Sequence, residues 1–423
     1  MREKFLAWRK ETPRTETATA TLSPARRQIL RVPHVRATNR AAVLHLLRRH
    51  QGLSRAAIAR RTGLSEAAVS RIVAELMTEG LVIAPGGEEA TGGRPAIRLQ
   101  LNDAKFQAVG VDIQNWETRV SIGTITGRIL DTRRFRTPPT PDKTLQFIAD
   151  QVQNHLAGSP HSSLQAAGIS VRGIVNSQTG VAELGSAPAW VRVAIKQELT
   201  ERLGIPVYVE NNVRSAAQAE HQYGNPEIQA SHCLLFVKVD EGVGMGIILD
   251  GKLYRGPRMA AGELGQMVIA ETPSPSRHDQ PGCLEMLTSD LATIERYHRL
   301  AGGKPKLTSG STAAQVKHIC HLAIEGEPAA RQSLLETARH LGVGIANAVW
   351  TLDADTIVID GAITEAWRLV LPAIREQFPE GGEFLNFRNL MVRPSSLRGE
   401  AAIIGAVTLP FAGLFSTEES IRI

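Results

Sequence analysis

Cysteine is scarce in this chain: Cys233, Cys283 and Cys320 are the only three among 423 residues. An odd and widely spaced set excludes a disulfide framework and makes reduced thiols the default. Long apolar runs are missing as well, since no stretch approaches the roughly 20 residues that span a bilayer. The first residues, among them Arg2, Glu3, Lys4, Arg9 and Lys10, lack the apolar centre of a secretory leader. A cytoplasmic protein without membrane insertion is therefore expected. No internal repeat, heptad run or low-complexity block breaks the pattern.

Acidic residues are thin at one end only. Residues 1–102 carry 18 Lys/Arg against 8 Asp/Glu, a net charge of +10, whereas the remainder carries 30 against 34, a net −4. That asymmetry suits a chain in which one module approaches a polyanion while the rest does not. With 43% hydrophobic residues the chain has enough apolar material for two or three domains.

Residues 1–35 are rich in Thr, Pro and Arg without an apolar period, and read as a flexible basic tail. From Asn39 the pattern turns helical, with Ala42, Val43, Leu46 and Leu47 on one face, a stop at Gly52 and a cap at Ser54. Three helices fit before Gly80. Leu81, Val82 and Ile83 then begin a strand, and Ile97, Leu99 and Leu101 alternate as its return, with Gly92-Gly93-Arg94-Pro95 at the turn. Beyond Asp103 strands and helices alternate: strands at 108–113, 120–125 and 166–171, and a helix at 144–155, an α/β rhythm.

Residues 54–73 have the pattern of a helix-turn-helix. Ala59 is small where two helices cross, Gly63 supplies the turn, Ser65 caps the next helix, and Ile58, Leu64, Val69 and Ile72 fill the core. The outward face of the recognition helix reads Glu66, Ala67, Ser70, Arg71 and Ala74. Short residues at its start let it enter a major groove about 12 Å wide, while Ser70 and Arg71 reach bases or phosphates. Ser54, Arg55, Ser65, Glu66, Ala67, Ser70, Arg71 and, on the wing, Arg94 are the candidate DNA contacts. Packing or assembly without DNA is the plainer alternative for such a module.

Seven ordered motifs follow: Gly110-Val111-Asp112-Ile113; Gly168-Ile169-Ser170 with Gly173; Glu210-Asn211-Asn212; Gly242 to Gly246; Gly262-Glu263-Leu264-Gly265-Gln266; Gly282-Cys283-Leu284-Glu285; and Ile357 to Gly361. With the N-terminal module, the chain from about Asn39 to Thr408 resembles the ROK family of sugar repressors, sugar kinases and open reading frames. The resemblance implies a winged helix-turn-helix at 36–102 and a two-lobed α/β actin-like ATPase or sugar-kinase domain at 103–423. It also implies a hinge near 211–225 and a C-terminal segment returning to the first lobe. Sugar contacts carry over to Asn211, Asn212, Glu263 and Glu285, with Gln266 in place of the usual histidine. The implied partners are double-stranded operator DNA, a sugar effector and further copies of the chain in a homodimer or homotetramer.

Three departures argue against phosphoryl transfer. Where family kinases place a glycine-rich phosphate turn after the Asp, this chain has Ile113, Gln114, Asn115 and Trp116. The family's catalytic Asp is replaced by Asn212, whose amide cannot take a proton at neutral pH, a loss of about 10² to 10⁴ in rate. The family zinc set falls on Gln266, Ser276, His278 and Cys283, of which only two are good zinc ligands. No catalytic residue, metal or cofactor is expected; the expected function is a sugar-responsive DNA-binding regulator, most simply a repressor of sugar genes. An active ROK sugar kinase with an appended DNA-binding domain is the alternative.

Overall fold

The computed structural model describes residues 32–85, 97–158, 164–185, 188–271, 281–303, 307, 310–378 and 390–416. The chain opens with helix α1 (Val32–Arg49), α2 (Arg55–Thr62) and α3 (Glu66–Thr78), followed by the short antiparallel pair β1 (Val82–Ile83) and β2 (Gln100–Leu101). Helix α1 starts inside the segment read as tail and well before Asn39. Pro33 is compatible with a first helical turn, and Arg36 pairs with Glu75 of α3 at 2.7 Å, so polar contacts rather than an apolar period hold that turn. Arg94 lies outside the described residues.

Two five-stranded sheets follow. The first is built from β3 (Gln107–Ile113), β4 (Glu117–Thr124), β5 (Ile129–Arg136), β6 (Leu164–Val171) and β9 (Val207–Asn211), in the order β5-β4-β3-β6-β9. Helices α4 (Pro141–Gly158) and α5 (Ile195–Leu203) and the hairpin β7 (Ile174–Asn176) and β8 (Val181–Leu184) complete this lobe. Helices α6 (Asn212–Tyr223) and α7 (Pro226–Gln229) lead to the second sheet. It contains β10 (Cys233–Val239), β11 (Val243–Leu249), β12 (Lys252–Tyr254), β13 (Thr356–Asp360) and β14 (Met391–Pro394), in the order β12-β11-β10-β13-β14. Each sheet is an antiparallel meander of three strands extended by two parallel ones.

Helices α8 (Leu284–Thr288), α9 (Asp290–Leu300), α10 (Thr312–Ile324), α11 (Pro328–Leu352) and α12 (Trp367–Arg375) cover the second sheet. The last helix, α13 (Ala401–Thr408), lies back on the first sheet. Glycine permits that return: a Cβ on Gly168 would sit 2.0 Å from the Ala406 carbonyl oxygen, and one on Gly110 2.5 Å from Val407 Cγ2. After α13, Phe411 and Phe415 enter the core of the N-terminal module, beside Val43, Leu44, Leu47 and Leu99. The DNA head and the C-terminus thus share one apolar core. Among the described residues no helix is long and apolar enough to cross a membrane.

Candidate functional sites: a DNA head and an interlobe cleft

The helix-turn-helix is set by its caps. Ser54 Oγ accepts from Ala57 N and Ser65 Oγ from Ala68 N, both at 3.2 Å, each satisfying one orphan amide of a helix start. Gly63 ends α2 in the left-handed region at φ 72°, which a side chain would disfavour. Val69, Ile72 and Val73 are buried against the other helices, and Ser65, Glu66, Ala67, Ser70 and Arg71 face solvent. The five exposed candidates share one face. Ser54 and Arg55 stand at the start of α2, half-buried, and Arg55 donates to Met77 Sδ at 3.8 Å.

The cleft is organised by α6. At its start Asn211 Oδ1 accepts from Val213 N at 2.9 Å and Arg214 N at 3.0 Å, while Nδ2 donates to the Gly173 carbonyl at 2.8 Å. Its oxygen is committed to the helix cap, so its first task is to position Asn212. Asn212 is 5% exposed and opens a helix that packs against β11. Just before it, Glu210 is fully buried between Arg214 and Arg255, each 2.8 Å away. Burial opposes its charge, but Arg214 and Arg255 win and hold its carboxyl below the usual range. Glu210 and Arg214 are structural keystones that sequence reading left without a role; the signal was an acid and a base at i and i+4 around an Asn pair.

Glu263 and Glu285 face this start from the second lobe. Confinement in the cleft pushes the Glu263 carboxyl up, Arg214 draws it back, and Glu285 pushes it up again, which places Glu263 within electrostatic reach of both. Glu285 Oε2 accepts from Val243 N at 3.0 Å. Gln266 is exposed on the turn that follows Glu263. Glu263 and Glu285 therefore bring two carboxylates within electrostatic reach of each other and of Arg214, chemistry suited to hydroxyls.

The turn that would receive phosphates is occupied by protein contacts. Asp112 is fully buried and accepts from Arg119 Nη2 and Gln114 Nε2 at 2.8 Å and from Ser170 Oγ at 3.2 Å. Across the cleft, Asn115 donates to Glu241, and Arg172 lies 3.6 Å from Glu241 and 3.9 Å from Asp240. These contacts join the two lobes. Asp290, behind them, is pushed up to about 8, chiefly by burial and then by Asp240 and Glu241.

Of the four positions that match the family zinc set, 266 and 283 are among the described residues. Cys283 is fully buried and paired with Val268 by a bridge, Gln266 is exposed, and positions 276 and 278 lie outside the described residues. Among the described residues no group of three His, Cys, Asp or Glu side chains is placed to hold a metal.

At the far end of α6 the cleft meets the DNA head. Arg48 of α1 is 8% exposed, donates through Nη1 to Gln222 at 2.9 Å, and stands over the rings of Phe415 at 4.3 Å and Tyr223 at 5.4 Å. Arg48 Nη2 donates to His45 Nδ1 at 3.0 Å, and His45 Nε2 donates to the Phe415 carbonyl at 2.8 Å. An arginine only donates and a carbonyl only accepts, so His45 is neutral with its proton on Nε2. Burial, then Arg48, pushes its pKa down to about 4.

A winged helix-turn-helix fused to a two-lobed kinase-like domain is the build of a regulator rather than of a free-standing kinase. The ROK family model matches residues 108–411 and a MarR family model matches residues 37–94; the chain belongs to the ROK family. A xylose repressor of Caldicellulosiruptor bescii is 25% identical over 90% of this chain and 97% of its own length. The DNA-binding transcriptional dual regulator NagC of Escherichia coli K12 is 28% identical over 82% and 86%. Among solved structures, a ROK family transcriptional regulator homologous to the E. coli MLC protein aligns with TM-score 0.75 at 23% identity, over 92% of this chain and all of that one. A Streptomyces griseus ROK glucokinase complexed with glucose and AMPPNP aligns with TM-score 0.62 at 29% identity, over 72% and 98%.

Proposed function

We propose that this protein is a cytoplasmic, sugar-responsive DNA-binding repressor without kinase activity. The observation that carries the reading is α6, which begins at Asn211 and Asn212 in the cleft and ends against Arg48 of the DNA head. Its 12 residues span about 18 Å at 1.5 Å each. A sugar bound by Asn212, Glu263, Gln266 and Glu285, with Asn211 setting the geometry, changes lobe closure and moves that far end.

DNA contact falls to Ser65, Glu66, Ala67, Ser70 and Arg71 on α3, with Ser54 and Arg55 at the start of α2 on the flanking phosphates and Arg94 on the wing. The division is a head up to about residue 102 and the sensor from 103. Two heads in a homodimer or homotetramer would read successive major grooves about 34 Å apart. If sugar prefers the lobe arrangement that misplaces the heads, operator affinity falls. By reciprocity the operator weakens sugar binding by the same factor.

The decisive experiment is operator binding by the purified chain with and without sugar, paired with ADP release. Glu285→Ala should bind operator normally and lose the sugar response; loss of DNA binding by a folded Glu285→Ala protein would sink the reading. The likeness to a glucokinase favours the kinase alternative, against which Asn212 stands. ATP-dependent phosphorylation near an ordinary turnover of roughly 10 per second would establish it.

A further inference from the structure

Gln114, Asn115 and Trp116 occupy the turn where a kinase receives phosphates, and neither the DNA head nor the Glu263–Glu285 cluster uses them. They line a cavity of about 600 Å³. It lies over the carboxyl ends of β3, β5 and β6, marked by Ile113, Arg136 and Val171. These three strands run in the same direction, and the carboxyl edge of an α/β sheet is where ligands bind. Strand β9, which ends at Asn211, is the next strand beyond β6, so the cavity adjoins the proposed sugar site along one sheet edge.

Its walls have a definite chemistry. Trp116, 57% exposed, and Trp190 contribute two indoles, and Arg136 and Arg172 contribute two guanidinium groups; among the described residues no carboxylate lines it. Arg136 forms no ion pair among the described residues. Among the described residues Arg172 pairs with Asp240 and Glu241 across the cleft, both at distances longer than a hydrogen bond. Indole faces suit the C–H face of a sugar ring, and paired guanidinium groups suit an anion.

We propose that this cavity binds an anionic carbohydrate, its acidic group on Arg136 and Arg172 and its ring between Trp116 and Trp190. The inference rests on the effector reading and extends that site sideways. An anion on Arg172 takes the place of Glu241, so occupancy loosens an ion pair that joins the lobes and thereby acts on closure.

The test uses the full chain with calorimetry and tryptophan fluorescence. The probes are glucose, xylose and N-acetylglucosamine, each with its phosphate ester, together with glucuronate and inorganic phosphate. In at least one family the acidic member should bind about tenfold or more tightly than its neutral parent, as expected for a hydrogen bond to a charged group. Arg136→Gln should abolish that preference and Trp116→Ala should weaken the acidic member, whereas Glu285→Gln should weaken both members alike. Glu241→Gln should tighten acidic binding by freeing Arg172. A phosphate preferred over glucuronate assigns a phosphorylated sugar, and the reverse a uronate. If neutral parents bind as well as acidic members, or Arg136→Gln keeps the preference, the cavity proposal falls and the effector reading stands. If no sugar of either kind binds, both fall.

Discussion

Replacing Arg48 by methionine should leave the protein able to bind operator and sugar yet unable to connect them. The guanidinium is buried without an acidic partner among the described residues, held by Gln222, His45 and two aromatic rings. Losing two hydrogen bonds from a charged group removes about 1.5–3 kcal/mol each, and two cation–π contacts about 0.5–2 kcal/mol each. Against this, keeping a cation out of water costs several kcal/mol in the folded state, and methionine refills the space of the aliphatic stem. The losses are only partly offset, so Arg48→Met should be destabilised by up to a few kcal/mol and still fold.

The coupling is different, because nothing compensates for the lost grip of α1 on the end of α6. Typical allosteric couplings of 1–3 kcal/mol correspond to about 5- to 150-fold changes in affinity. Fluorescence anisotropy with operator DNA should show that range for the wild type on adding sugar, and a change below about 3-fold for Arg48→Met. Operator affinity without sugar, and sugar affinity without DNA, should match the wild type. A folded Arg48→Met protein that responds to sugar as fully as the wild type would refute the reasoning, since the α6–α1 contact would then transmit nothing.

Other substitutions separate the parts. Arg71→Ala should weaken operator binding and lower the slope of log affinity against log salt by about 0.9, the mark of one lost phosphate contact in salt-dependent gel shifts. Glu210→Gln leaves Arg214 and Arg255 without their buried counter-charge and should cost about 3–5 kcal/mol in denaturant unfolding. Asp290 titrates near 8 when folded, above its ordinary 3.8, so its contribution is fully present below about pH 4 and is lost as pH rises through 8. Asp290→Asn should therefore be more stable than wild type in denaturant unfolding at pH 8 to 9, by on the order of a few kcal/mol, and the advantage should shrink toward pH 4.

Local chemistry was legible in the sequence, and long-range chemistry was not. Ser54, Gly63 and Ser65 announce their caps because each acts within four residues of itself, and the apolar spacing around Val69 and Ile72 follows from helical period alone. The Asn pair was equally visible, but the tie from Asn211 Nδ2 to the Gly173 carbonyl was not, because Gly173 sits 38 residues away. Arg48 looked like one more basic residue of a DNA-binding head. Its burial depends on Phe415, brought back by a C-terminal helix that only glycines at 110 and 168 can receive. The latch from Asn115 and Arg172 to Glu241 is invisible for the same reason: each partner belongs to a different lobe.

The duplicated sheet order explains why these distant pieces meet where they do. Two sheets of the same topology, with no sequence repeat to betray it, place corresponding carboxyl edges toward a common cleft. Helix α6 leaves the first sheet at β9 and packs on β11 of the second, and α13 returns from the second sheet to lie on the first and on α6. Any change in lobe closure must therefore be accommodated at the α6–α13 pair, since these helices touch both sheets. Their far ends, Tyr223 and the segment to Phe415, are the two rings that enclose Arg48. Close-packed interfaces shift between discrete arrangements rather than bend smoothly, so under the proposed function a small change at Asn212 would reach the DNA head as a repacking around one buried guanidinium. Under that proposal a kinase-like fold becomes a sensor through two changes: the phosphate turn is filled by side chains, and α6 abuts a helix of the DNA head.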